Sequence, residues 1–140
     1  MKVISFKITL FYFLLLPAFT LSGESRFLMA IDDMPLANAL TERPNFTVMF
    51  ETSQGRISFA TATGITTFEA VKGFYSKSLP QLGWEIEKTK KRWYYTDSRW
   101  VATWYRGLEK LTIELTKKTD LIRANFILTP RHQISQKKEK

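Results

Sequence analysis

Thr66-Thr-Phe-Glu-Ala-Val-Lys-Gly-Phe-Tyr-Ser-Lys-Ser-Leu-Pro-Gln-Leu-Gly-Trp84 is the stretch of this chain that reads as a helix with a start, a buried stripe and a stop. Thr66 followed three residues later by Glu69 is a capping box, in which each side chain reaches the other's amide. At 100° per residue, Val71, Tyr75, Ser78 and Leu82 fall on one line with Phe68, Phe74 and Leu79 on its flanks, while Glu69, Lys72, Ser76 and Lys77 point away. One face is built for burial. Pro80 lacks an amide and crowds the preceding turn, which predicts an end or kink near Leu79, and Gly83 suits a left-handed closing residue. Trp84 then opens a strand.

Downstream, three two-residue loops test a single register. Loops at Asp97-Ser98, Gly107-Leu108 and Lys118-Thr119 place Tyr95 opposite Trp100 and Trp93 opposite Ala102. They also place Trp104 opposite Leu111, Ala102 opposite Ile113 and Trp100 opposite Leu115, then Leu115 opposite Ile122, Ile113 opposite Ala124 and Leu111 opposite Phe126. All three agree on one apolar face, and a slip of one residue would invert every side chain. This predicts a meander over residues 92–129, with 84–88 as a further short strand. Upstream, residues 47–51 and 56–63 read as two strands joined around Gly55, with Gly64 ending the second. The fold class is therefore α+β, an antiparallel meander with one main helix on one face, in the order β-β-α-β-β-β-β-β.

Outside this domain of residues 46–130 the chain changes character. Residues 1–22 carry a basic start and an apolar run of about eleven residues, too short for a membrane span of about 20, followed by small residues at Thr20 and Ser22. They read as a secretory signal cleaved near Gly23, with an uncleaved membrane anchor as the alternative. Residues 23–45 read as an irregular lead-in that covers an edge of the domain with Met34, Leu36 and Leu40. Residues 131–140 form a basic tail without periodicity, expected to be disordered.

The Phe74-Tyr75 pair, the Leu79-Pro80-Gln81-Leu82-Gly83-Trp84 run and the closing Thr129-Pro130-Arg131 give the chain a likeness over residues 32–131. It resembles a family of small exported proteobacterial proteins whose helix carries Phe-Tyr and Leu-Pro-x-Leu-Gly-Trp and whose sheet ends in Thr-Pro-Arg or Ser-Pro-Arg. It departs from that pattern over residues 89–99, where it is longer by most of a hairpin. The resemblance implies a periplasmic or envelope location and one compact domain, and brings no catalytic residues with it.

The residues argue against catalysis. The 140 residues contain no cysteine and one histidine, His132, beside the basic tail. Asp32-Asp33 has no further oxygen ligands near it in sequence and reads as a solvated or capping pair. No phosphate loop is present, so no cofactor or metal is expected and the chain is read as no enzyme. The net charge of +8 includes Lys2 and Lys7 of the signal. For an exported protein that balance points to anionic membrane surfaces before nucleic acid.

Two function classes follow. One is an envelope interaction module that binds a protein partner, or a second copy of itself, through the sheet face the helix leaves open. The other is a membrane-peripheral protein held by basic turns and tail, or by an uncleaved signal. The register sends Tyr94, Val101, Tyr105 and Ile127 to the open face, rimmed by Arg92, Arg123 and Lys110, with Glu114 opposite Arg123 as an ion pair. An apolar patch with a basic rim is the composition of a contact surface, so Tyr94, Tyr105 and Ile127 are the expected anchors.

Overall fold

The computed structural model describes residues 26–88 and 98–131. It has one helix and a seven-stranded antiparallel sheet in the order β-β-β-α-β-β-β-β. The strands are β1 (Thr41–Glu42), β2 (Val48–Thr52), β3 (Gly55–Ile65), β4 (Glu85–Ile86), β5 (Arg99–Arg106), β6 (Glu109–Lys118) and β7 (Leu121–Pro130), and the helix is α1 (Phe68–Gln81). Across the sheet they run β1-β3-β7-β6-β5-β4, with β2 sharing the outer edge of β3 with β1. The α+β class therefore holds, and β1 is a strand the alternation did not announce. The expected strand at Trp93 and Tyr95 lies outside the described residues, as do the signal, Arg92, Tyr94, His132 and the rest of the tail.

The helix buries Phe68, Val71, Tyr75 and Leu79, spaced three and four apart. Three details correct the sequence reading. The cap is Thr67, whose hydroxyl accepts from the Ala70 amide at 3.2 Å, so Thr66 lies outside the helix and Glu69 pairs with Lys72 instead. Pro80 lies inside the helix, which closes one residue beyond it at Gln81. Leu82 is exposed, since the helix closes there. The Trp84 amide donates to the Leu79 carbonyl and the Gly83 amide to that of Pro80, with Gly83 at φ +80°, which is the Schellman arrangement. That turn folds Trp84 back into the core against Leu79.

The hairpin β5–β6 has the expected register, with Trp100, Ala102 and Trp104 opposite Leu115, Ile113 and Leu111. The last hairpin does not. Its loop is Thr119-Asp120, with Thr119 at φ 58°, and the pairs are Leu115 with Ala124, Ile113 with Phe126 and Leu111 with Leu128. Moving a two-residue loop along by one shifts the register by two, which keeps every side chain on its face, so the apolar pattern could not distinguish the alternatives. Glu114 consequently stands opposite Asn125, and its partner is Arg99 at 2.7 Å rather than Arg123.

The core lies between the inward sheet face and a layer made of α1 and the irregular segment 26–40. The sequence predicts that Met34, Leu36 and Leu40 cover an edge of the domain; they are instead buried in this layer with Leu28, Ile31 and Ala37. The Tyr75 ring meets Phe126 of the sheet edge-on at 5.4 Å. β3 runs through Gly64 to Ile65, and it presents Ser58, Ala60, Ala62 and Gly64 inward. Its inner face is small because backbone comes close: a methyl group on Gly64 would stand 1.9 Å from the Ala39 carbonyl oxygen. Among the described residues no helix is long and apolar enough to cross a membrane.

Candidate contact surface

With α1 and the lead-in on one side, strand alternation exposes the other face of the sheet. Its side chains form rows set by the registers. One row runs from Val48 through Phe59 and Ile127 to Thr112 and Thr103. Beside it, Phe50 stands opposite Ile57, and Tyr105 stands between Lys110 of β6 and Glu85 of β4. Phe50 is 61% exposed, Val48 43% and Ile57 37%, with Phe59 and Ile127 half-buried between them. Five apolar side chains on three adjacent strands thus form one block, because the small inner face of β3 forces its large residues outward.

The sequence-predicted residues divide across this face. Ile127 sits inside the apolar block. Val101 and Tyr105 are half-buried on β5, opposite Glu114 and Lys110, so polar side chains of β6 separate them from Ile127. Arg123 is exposed and stands opposite Thr63 and Thr116, in the row beyond Asn125. There a 3-10 turn, Pro44–Phe46, folds over the face: the Arg43 amide donates to the Thr61 carbonyl and its Nε to the Thr63 hydroxyl at 2.8 Å. Val48, Phe50, Ile57 and Phe59 were not among the expected anchors. Their signal was present in the alternation of Ile57 and Phe59 with Ser58 and Ala60, whose small side mark the inward face.

Between the β2–β3 loop and residues 85–88 the face dips into a depression of about 1380 Å³, with Ile57, Tyr105, Lys110 and Thr129 among its lining and Lys88 and Arg131 at its margin. Tyr105 is held there from two sides. Its hydroxyl donates to Glu87 Oε1 at 3.0 Å, and the Arg131 guanidinium lies 4.6 Å from the ring centre. Burial first, then the Glu87 hydrogen bond and charge, push the phenol above its ordinary pKa against the opposing charge of Arg131. The phenol therefore stays protonated at neutral pH, with its hydroxyl held by Glu87 and its ring beside Arg131.

Four ionisable groups that shift one another's pKa values lie on the opposite side of the sheet. Arg56 bridges Asp33 and Glu109 at 3.3 and 2.7 Å, and Arg106 bridges the same two carboxylates. Burial opposes ionisation of both acids, but the arginine hydrogen bonds and charges outweigh it and hold Asp33 and Glu109 below their ordinary values. The expectation that Asp32-Asp33 is a solvated pair thus needs correction: Asp32 is exposed, while Asp33 ties the lead-in to β3 and β5. Arg106 also covers the buried Trp84 ring at 4.2 Å. Two cations and two anions neutralise one another here, which is a structural clamp. Among the described residues, no group of three or more His, Cys, Asp or Glu is placed to hold a metal.

No family model, curated protein or solved structure matches the chain.

Proposed function

We propose that this chain is a non-catalytic interaction module of the cell envelope, and that it binds a protein partner through the open face of its sheet. The observation that carries the reading is the block of Val48, Phe50, Ile57, Phe59 and Ile127 on three adjacent strands, of which Val48, Phe50 and Ile57 are exposed among the described residues. A contiguous apolar patch bordered by Lys110, Tyr105 and Arg131 has the composition of a protein contact, with aromatic and basic residues at its rim. The placement in the envelope is supported by the signal-like residues 1–22 and by the likeness to small exported proteins. Cell fractionation and N-terminal sequencing test it: cleavage near Gly23 with release into the periplasm is expected, and recovery of intact Met1 in the membrane fraction would make residues 1–22 an anchor.

The binding reading is tested by the double variant Phe59→Thr/Ile127→Thr. These side chains are half-buried, so it should fold, with a loss of about 1 kcal/mol per position from weakened cross-strand pairs. It should lose a partner that co-purifies with the wild type from envelope extract. A folded variant that keeps that partner places the contact elsewhere.

A second reading, peripheral attachment to anionic membranes, is favoured by the gathering of Lys88, Lys110 and Arg131 around the depression. Each basic residue near a headgroup contributes about 1 kcal/mol, and the attraction is screened over about 8 Å at physiological salt. Sedimentation with vesicles containing anionic phospholipid distinguishes it: binding that disappears at high salt supports attachment, and no binding at low salt removes it.

A further inference from the structure

The two edges of the sheet are built differently. β4, at one edge, has two residues. β2, sharing the opposite edge, pairs with β3 without a bulge over five residues, every one of them exposed, and its Val48, Met49, Phe50, Glu51 and Thr52 include neither lysine nor proline. Very short strands, bulges, proline and charged side chains, lysine above all, are the usual protections of an edge against pairing with another chain. β2 has no bulge, lysine or proline, and Glu51 is its one charge.

The hairpin geometry fixes which backbone groups of β2 face outward. Thr52 and Gly55 flank a two-residue loop and are partners, so they form a hydrogen-bonded pair, as do Phe50 with Ile57 and Val48 with Phe59 at alternate positions. The N–H and C=O groups of Met49 and Glu51 therefore point away from β3, and they have no backbone partner among the described residues. An antiparallel strand laid along this edge must satisfy those two positions.

We propose that β2 is a dimerisation edge, along which two copies of this chain pair antiparallel with Phe50 facing its own copy across the two-fold axis. In this register Met49 of each copy exchanges backbone hydrogen bonds with Glu51 of the other, so all four outward positions are satisfied. Val48 meets Thr52. The strand's one charged side chain, Glu51, meets Met49, whereas an axis at Glu51 would oppose two carboxylates. Self-pairing about Phe50 thus uses the whole strand and sets no like charges opposite one another, which commits the edge to a second copy. The joined sheets also make the two apolar blocks continuous through the Phe50 pair. This inference goes beyond the open-face reading, since it stands on the main-chain groups of the edge.

Sedimentation velocity on the purified chain should show a monomer–dimer equilibrium, with weight-average mass rising toward twice that of the monomer as concentration increases. Phe50→Lys and Phe50→Glu place like charges on the axis, and each should sediment as a folded monomer, the side chain being mostly exposed. An equimolar mixture of the two should restore the dimer. Since the chain has no cysteine, Phe50→Cys gives an independent measurement. A non-hydrogen-bonded pair brings the two side chains close, so this variant should oxidise to a covalent dimer while Met29→Cys, equally exposed, should form no disulfide cross-link. A wild type that is monomeric at every concentration, a charge variant that still dimerises, a mixture that stays monomeric, or a Phe50→Cys chain that does not cross-link overturns the proposal. The Phe59→Thr/Ile127→Thr variant lies off the edge and should still dimerise, so failure of the open-face reading remains distinguishable from failure of this one.

Discussion

The Tyr75 hydroxyl donates a 3.2 Å hydrogen bond to the Pro35 carbonyl, which joins the middle of α1 to a residue 40 positions earlier in the chain. The Ala37 amide in turn donates to the Tyr75 hydroxyl oxygen at 3.5 Å. The ring is fully buried against Phe126, and burial drives the phenol pKa far upward, so it stays neutral. Tyr75 is thus the point where helix, sheet and lead-in meet.

Tyr75→Phe should destabilise the domain by about 1–3 kcal/mol, because it leaves the buried Ala37 amide and the part-buried Pro35 carbonyl without this partner. Tyr75→Ala adds a cavity and should cost about 3–5 kcal/mol, as should Trp84→Ala. Lys77→Ala, on the exposed side of the helix, should change stability by less than about 0.5 kcal/mol. Denaturant melts of the four variants check this order. A loss at Lys77 equal to that at Tyr75 would contradict the orientation of α1.

Gly64→Ala and Gly73→Ala should move stability in opposite directions. A methyl group at Gly64 collides with the Ala39 backbone, so the lead-in must shift, at a cost of about 1–3 kcal/mol or more from overpacking. At Gly73, inside α1, the added carbon meets nothing within 4 Å, and alanine should stabilise the helix by about 0.5–1 kcal/mol. Thermal melting of both variants compares them directly.

Acid should loosen the lead-in. Asp33 and Glu109 have folded pKa values held below the ordinary 3.8 and 4.5, so they bind fewer protons in the folded chain than in the unfolded one. Their contribution to stability is fully present above those ordinary values, and it declines as pH falls through them toward the lower folded values. Stability measured from pH 6 down to about pH 2 should fall more steeply for the wild type than for Asp33→Asn or Glu109→Gln. Both variants should be less stable than the wild type at neutral pH. Identical pH slopes would show that the clamp does not couple folding to protonation.

A double-mutant cycle checks the register of the last hairpin. Arg99 and Glu114 should couple by about 0.2–1 kcal/mol, the range of a partly exposed ion pair. Arg123 and Glu114 should show no coupling beyond error, since β6 and β7 place Asn125 opposite Glu114. The reverse result would restore the register shifted by two.

Periodicity and turn chemistry determined much of this protein by themselves. The 3.6-residue repeat carried by Phe68, Val71, Tyr75 and Leu79 specified the helix and its buried side. The two-residue repeat across β5, β6 and β7 specified which residues of those strands enter the core, and Gly107-Leu108 placed the β5–β6 hairpin in register. These are local properties, and each leaves a repeating mark on neighbouring residues. What only the tertiary structure decided leaves no such mark. A register shift of two preserves every face, so the position of the β6–β7 loop was invisible to the pattern. The segment 26–40 has no period because its residues are buried by docking over Tyr75 and Gly64. Asp33, Arg56 and Glu109 are far apart in sequence and meet only once that segment has docked. The same docking requires the inner face of β3 to be small, which turns Ile57 and Phe59 outward beside Val48, Phe50 and Ile127. The open face thus takes its apolar block from the close approach of backbone on the face behind it.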